Sequence, residues 1–280
     1  MKWKIVADSG SNLSVFTLSD ENVSFQTVPL MLNIGTNVYI DDKNLDKQAL
    51  LAAMEQETTA TSSACPSPSA YAQAFEGAEN VICFTITSAL SGSYNSAVLG
   101  MNLHKENHPD VNVHIFDTKS AGPEEDLLVH KAIELAQSGI EFDDMVNALN
   151  DYHARTNLIF VLESVDNLVK NGRLNKLVGG MIGLLGIRLV AIRNAEGTIE
   201  IKTKAKGSKR ALKSMFAEME NFGYKGGKII ISHGFNPEGA EEFKQLVLAS
   251  FPQAEISITP FDGLCTFYAQ RNGVMVGYEI

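Results

Sequence analysis

The sequence predicts an α/β protein in two parts: a parallel sheet layered between helices, followed by a mixed sheet with helices of its own. Three observations carry that expectation. Short apolar runs alternate with segments of helical periodicity through the first half of the chain. The run Val81–Ile86 is apolar at all but one position, as suits a strand covered on both faces of a parallel sheet. Beyond about Thr156 the pattern changes, and a turn signal at Asn194–Gly197 joins two strand-like runs as a hairpin. A length of 280 residues accommodates two units. The boundary is expected near residue 155, giving 1–155 and 156–280, with elements free to exchange between them.

The elements follow in order. Lys4–Ala7 reads as a short strand, and Asp8-Ser9-Gly10-Ser11-Asn12 as a turn rich in capping residues. Val28–Ile34 and Val38–Ile40 read as strands around a Gly35-Thr36-Asn37 turn. Asp46–Glu55 is helical, with Leu45, Ala49, Leu50, Ala53 and Met54 on one face, and a Ser/Thr/Pro-rich loop is expected over Thr58–Ser69. After Val81–Ile86, Ser88 to Ser93 turns the chain into a helix reaching about His104. Val111–Phe116 is a strand, Pro123–Gln137 a helix closed by Gly139, and Phe142, Met145, Ala148, Leu149 and Tyr152 mark another helix.

The second part is expected to hold strand Leu158–Leu162, helical segments through Leu185, and strand Ile187–Arg193 paired with Ile199–Thr203. A helix with Leu212, Met215, Phe216 and Met219 inward ends at Gly223. Strand Lys228–Ser232 precedes a helix with Pro237 at its first position. Glu255–Thr259 and Val274–Ile280 are the last strands.

Composition narrows the function. A net charge of −10 argues against a nucleic-acid surface. One basic run, Lys202, Lys204, Lys206, Lys209 and Arg210, reads as a solvated strand-to-helix loop or a docking patch for an anionic partner. The most apolar stretch, Leu177–Ile192, is too short to span a bilayer and carries Arg188, so no integral membrane association is expected. Three widely spaced cysteines, and a start without a signal peptide, point to a reducing cytoplasm rather than a disulfide framework. No GxGxxG or Walker A loop occurs, and Gly92-Ser93-Tyr94 lacks the closing glycine of a nucleophile elbow. His104 and His108 stand four apart, but no glutamate directly follows the first and Pro109 ends the helix. A solvated helix end is therefore expected there, and no metal.

Two segments carry chemistry. Ser63-Ala64-Cys65-Pro66-Ser67-Pro68 and Thr87-Ser88-Ala89-Leu90-Ser91-Gly92-Ser93 are rich in small hydroxyl residues, and the second lies at the carboxyl end of a buried strand. Their hydroxyls and the next helix's free N–H groups suit a carboxylate head; a serine-rich helix cap explains them equally well.

Six stretches in order resemble the DegV family: Ile5-Val6-Ala7-Asp8-Ser9, the loop ending Cys65-Pro66-Ser67-Pro68, Leu90-Ser91-Gly92-Ser93-Tyr94-Asn95-Ser96-Ala97, Asp117-Thr118-Lys119-Ser120-Ala121-Gly122, Asn171-Gly172-Arg173-Leu174, and Ser232-His233-Gly234-Phe235-Asn236-Pro237. The resemblance implies the DegV-like two-domain fold, with a parallel-sheet α/β/α N-terminal domain and a mixed-sheet C-terminal domain. It also implies a long-chain fatty acid in a buried tunnel. In members that serve a bacterial fatty acid kinase, the protein holds the acid while a separate ATP-binding subunit, resembling dihydroxyacetone kinases, phosphorylates its carboxylate. By position, Ser63, Ser91 and Ser93 would contact the head group, with Cys65 beside them in the first loop and Arg173 in the turn, where a structural role is the alternative. The family's C-terminal His-Thr-Gly-Pro-Gly segment has no counterpart; Asp262-Gly263-Leu264-Cys265-Thr266-Phe267-Tyr268-Ala269 stands there instead, and His233 is weighed as its replacement against the commoner role in a strand-end turn. Leu184, Leu185, Ile187 and Leu189 stand where the tail would run, with core packing the commoner role for any one of them. No catalytic residue, metal or cofactor is expected of this chain. A lipid sensor without a kinase, and a hydrolase using Ser91 or Ser93, are the competing readings.

Overall fold

The computed structural model describes residues 2–59, 61–175 and 186–280. Its first sheet is parallel, in the order β2-β1-β6-β7, built from Trp3–Asp8 (β1), Val23–Val28 (β2), Asn80–Thr85 (β6) and Asn112–Asp117 (β7). Alternation of side chains splits it into two apolar faces. Ile5, Ile82, Phe84 and Phe116 meet helices Pro123–Gln137 (α4) and Phe142–His153 (α5) through Leu127, Leu128, Ala132 and Leu149. Val6, Val81, Cys83 and Ile115 meet helices Pro68–Ala74 (α2) and Ser93–Asn107 (α3) through Tyr71, Phe75 and Ala97. β6 is buried at every position, as its composition requires.

The expected strand Val28–Ile34 is in fact two. Pro29 has no N–H to give a ladder, so β2 ends at Val28, and Ser9 Oγ accepts the next N–H, from Leu30, at 2.9 Å. Met31–Ile34 (β3) then pairs antiparallel with Asn37–Ile40 (β4) and with Thr61–Ala64 (β5). The polar segment read as a loop therefore holds a strand, and Ser67 then caps α2 by accepting from Ala70 N at 3.2 Å. Helix Lys47–Gln56 (α1) links β4 to β5, its first N–H groups held by Asp46.

The third sheet is mixed, in the order β10-β9-β8-β13-β11-β12. It comprises Thr156–Leu162 (β8), Ile187–Arg193 (β9), Ile199–Lys206 (β10), Ile229–His233 (β11), Ile256–Pro260 (β12) and Val274–Glu279 (β13). Ile159, Val161, Val190 and Ile192 face helices Ser208–Asn221 (α7) and Pro237–Ser250 (α8), meeting Leu212, Met215 and Phe243. Leu158, Phe160, Leu162 and Met275 face the other way, toward helices Asp166–Lys170 (α6) and Gly263–Ala269 (α9). Residues 171–175 form a turn, and the expected helical segments beyond them, with Leu184 and Leu185, lie outside the described residues.

Two further expectations are corrected. β10 runs on through Lys206, so Lys202, Lys204 and Lys206 are exposed alternate residues of an edge strand rather than loop residues; lysines there discourage pairing with another sheet. At the end of α3, the His108 side chain reaches solvent as expected, but His104 is only 3 % exposed and packs edge-on to the Phe75 ring. No helix among the described residues is long and apolar enough to cross a membrane.

α4 lies between the two large sheets. It packs on β1 and β6 on one side and on β8, β11 and β13 on the other. Gly277 in β13 permits that approach: a Cβ there would stand 2.4 Å from the Pro123 carbonyl carbon.

Candidate functional site

The loops after β6 and β7 leave the carboxyl edge of the parallel sheet, where open α/β sheets bind ligands. Backbone and hydroxyl bonds lock these loops together. Thr87 N donates to Ser120 O at 2.8 Å, and Ser88 donates to Asp117 through its N–H at 3.0 Å and its hydroxyl at 2.5 Å. Leu90 N and Ser91 N both donate to Thr87 O at 3.2 Å, and Ser91 Oγ accepts from Ser93 N at 3.2 Å. The β9–β10 hairpin closes over these loops at Gly197. Its φ is +81°, and a Cβ would lie 2.2 Å from Thr87 Oγ1, so only glycine fits the hairpin against the loop.

Between these loops and the apolar face of the mixed sheet lies a cavity of about 120 Å³. One wall is Leu158, Phe160 and Leu162 of β8, with Met275 of β13 and Leu168 of α6. The facing wall and mouth hold Ser63, Thr87, Ser91, Lys119, Ser120 and Arg173. α9 supplies Leu264, Cys265, Tyr268 and Ala269. The cavity's apolar wall favours an apolar chain over water.

The mouth is cross-linked by side chains. Ser63 Oγ and Tyr268 OH are 2.8 Å apart. The Arg173 guanidinium lies 6.0 Å from the Tyr268 ring centre, donates through Nε to Leu90 O at 3.2 Å and through Nη1 to Asn171 O at 2.5 Å. Arg173 thus ties the serine loop to the turn after α6 while lining the cavity. Arg193 also reaches the wall, but its Nε and Nη2 donate to the buried Glu124 carboxylate at 2.8 and 2.6 Å. Its charge is already matched.

Carboxyl groups hold the frame below the mouth. Asp8 accepts from Gly10 N at 2.9 Å, from Ile86 N at 3.1 Å and from the Ser93 hydroxyl, which also meets Tyr71 OH at 2.6 Å. Burial pushes the Asp8 carboxyl up to about 6. Asp41 accepts from Gly263 N at 2.7 Å and Leu264 N at 2.8 Å, capping α9 from the far end of the chain. Burial, and then the neighbouring Asp262, push it up to about 7. Burial likewise raises the Cys265 thiol, which stays protonated on the cavity wall.

Of the residues expected from sequence, Ser63, Ser91 and Arg173 come together on the cavity. Three others lie elsewhere. Ser93 is buried in the first turn of α3 and bonded to Asp8 and Tyr71. Cys65 packs toward the backbone at Gly92, and His233 ends β11 with Nδ1 accepting from Asn236 N at 3.2 Å. Leu189 is buried among core side chains and Ile187 is half-buried in β9; neither lines the cavity. Thr87, Lys119 and Tyr268 were not among the expected contacts. Thr87 and Lys119 fall within motifs that drew notice, whereas Tyr268 had no local signal.

The chain matches the family described as "Uncharacterised protein, DegV family" over residues 2–279, and it belongs to that family. It is 45% identical over 280 residues to a DegV domain-containing protein of Streptococcus gordonii, covering all of both chains. Among solved structures it is similar to the Streptococcus pneumoniae Fatty Acid Kinase (Fak) B3 protein loaded with linoleic acid, with 44% identity, complete coverage of both chains and a TM-score of 0.97. It is also similar to a DegV family protein of Eubacterium eligens loaded with heptadecanoic acid, at 29% identity over 99% of each chain and a TM-score of 0.94.

Proposed function

We propose that this chain binds a long-chain fatty acid, with the tail against Leu158, Phe160, Leu162 and Met275 and the carboxylate at Ser63, Thr87 and Ser91. The observation that carries this reading is the cavity itself, apolar on one side and lined with hydroxyls on the other. Each buried methylene contributes about 0.8 kcal/mol. A carboxylate buried without donors would cancel much of that gain, and the hydroxyls supply them. Lys119, exposed at the rim, adds a positive charge near the head group. Fatty acids in the similar pneumococcal and Eubacterium proteins support the assignment.

The chain presents that carboxylate to a separate ATP-binding subunit, as the likeness to a fatty acid kinase B protein suggests. Its own part is positioning, while metal–ATP chemistry belongs to the partner. A hydrolase is disfavoured, because among the described residues neither Ser91 nor Ser93 bonds to a histidine. Work alongside ATP and three free cysteines support a cytoplasmic location.

Native mass spectrometry and solvent extraction of the purified protein test the first claim: one fatty acid per chain is expected, and a chain that neither carries nor takes up oleate overturns it. Adding a cognate kinase subunit and ATP is expected to yield acyl phosphate. A lipid-loaded protein that yields none is a store or sensor instead.

A further inference from the structure

On the face of the parallel sheet opposite α4, three residues from two parts of the chain converge. Glu76 follows the end of α2, and His104 and His108 are one turn apart at the end of α3. His104 Nδ1 lies 3.5 Å from Glu76 Oε1, and His108 Nε2 lies 3.3 Å from Glu76 Oε2. The two imidazoles stack with centres 4.5 Å apart and planes 23° apart. One potential ligand atom from each of the three residues falls within 4.8 Å of the others.

We propose that Glu76, His104 and His108 form a binding site for a divalent transition metal of the zinc class. Zinc lies about 2.0–2.1 Å from imidazole nitrogen and about 2.0–2.2 Å from carboxylate oxygen, so tetrahedral ligands stand about 3.3–3.5 Å apart. The two contacts use different oxygens of Glu76, so the distances bring the three groups within reach of one ion, and binding would turn the stacked imidazoles to aim their lone pairs at it. Two imidazoles and one carboxylate suit zinc and its neighbours rather than calcium or magnesium, which take oxygen.

The state of His104 is the independent observation. Its side chain is buried against Phe75, Nδ1 has only the long contact with Glu76, and the Ala72 carbonyl lies near the ring without forming a well-aligned hydrogen bond. The 3.5 Å contact to Glu76 is too long for an ordinary N–H···O bond. Buried imidazole nitrogens are normally matched, and a metal matches the one that faces Glu76 and His108. Helix position helps as well, since the carboxyl end of α3 carries the negative end of its dipole and favours a cation. One charge opposes it: Lys4 Nζ sits nearby, donating to the Glu76 carbonyl at 3.1 Å. The side chains of His108 and Glu76 are both open to solvent, leaving a fourth position to water. Occupied, the site would pin the α2–β6 connection to the end of α3, at the opposite end of that helix from Ser91. The metal would be structural, and its binding is independent of lipid carriage.

Equilibrium dialysis of the full chain against zinc chloride, followed by metal analysis, tests the site, with the melting temperature followed in parallel. One zinc per chain and a raised melting temperature are expected, together with visible absorption of tetrahedral type when cobalt replaces zinc. His108→Ala and Glu76→Gln alter exposed side chains and leave the fold intact. Each is expected to weaken zinc at least about tenfold, the lower bound seen even for outer-shell partners of metal sites, while lipid uptake is unchanged. His233→Ala, far from the cluster, is expected to bind zinc as the parent does. A parent that takes up no zinc, or zinc bound equally by H108A and E76Q, overturns the proposal.

Discussion

The two walls of the cavity differ in chemistry because they come from different kinds of backbone. The apolar wall is regular strand: Leu158, Phe160 and Leu162 are alternate residues of β8, and Met275 adds to them from β13. The polar wall is loop and strand end, lined by Ser63, Thr87, Ser91 and Ser120, with backbone bonds joining Thr87 to Ser91 and to Ser120. Strand alternation makes a smooth greasy surface without effort, whereas a polar mouth needs loops locked in place by many partners. An amphipathic ligand is therefore read twice, by the sheet for its tail and by the loops for its head.

The largest effect should come from the charged intruder on the apolar side. Arg193→Met leaves Glu124 buried without its partner and is expected to lower stability by about 3–5 kcal/mol, measured by urea unfolding. Unchanged stability with lost lipid binding would make Arg193 a head-group ligand and erase the contrast between the walls. Ala121→Trp fills the cavity from its rim and should reduce fatty acid affinity at least about 100-fold, equivalent to two steps of 1.4 kcal/mol, with an unchanged circular dichroism spectrum. Retained binding would move the tail elsewhere. Ser63→Ala and Ser91→Ala each remove one donor and should weaken a fatty acid about five- to tenfold in fluorescence titration. The corresponding methyl ester should be affected less, and equal losses for acid and ester would place the head group away from the hydroxyls.

The smallest effect concerns the carboxyls that support the polar wall. Asp8 and Asp41 sit near 6 and 7 when folded, above the ordinary 3.8, so the folded protein binds protons that the unfolded chain has released. Their contribution is complete below about pH 4 and is lost as pH rises through 6 to 7. The melting temperature should accordingly be a few degrees higher at about pH 5.5 than at about pH 8. Asp41→Asn should flatten that slope, and a melting temperature that rises toward pH 8 would remove the raised carboxyls from the account.

Local patterns made most of the frame legible. β6 and α4 lie within a residue of where apolar runs, Pro123 and Gly139 place them, and the Asn194–Gly197 turn forms the expected hairpin. The misreadings share a cause. β5 is Thr-Ser-Ser-Ala and is a strand only because β3 offers it a ladder; α9 is a seven-residue helix whose first N–H groups are held by Asp41, more than 200 residues away. Neither partner can be seen from the segment itself. The site divides the same way. Ser63, Ser91 and Arg173 stand in ordered motifs, whereas Tyr268 joins them only because α9 delivers it to Ser63. Ser93 sits in the same motif as Ser91, but two residues further along the first turn of α3 it faces Asp8 instead of the cavity.

α4 makes the chain harder to divide than its two large sheets suggest. Gly277 lets the mixed sheet lie directly on the start of this helix, while Leu127, Leu128 and Ala132 are already committed to the parallel sheet. A fragment stopping at residue 155 would keep the helix and lose one of the two surfaces that cover it. Such a fragment should be prone to self-association, and heating the intact chain should melt both sheets in one step, with the cavity gone as soon as either half lets go.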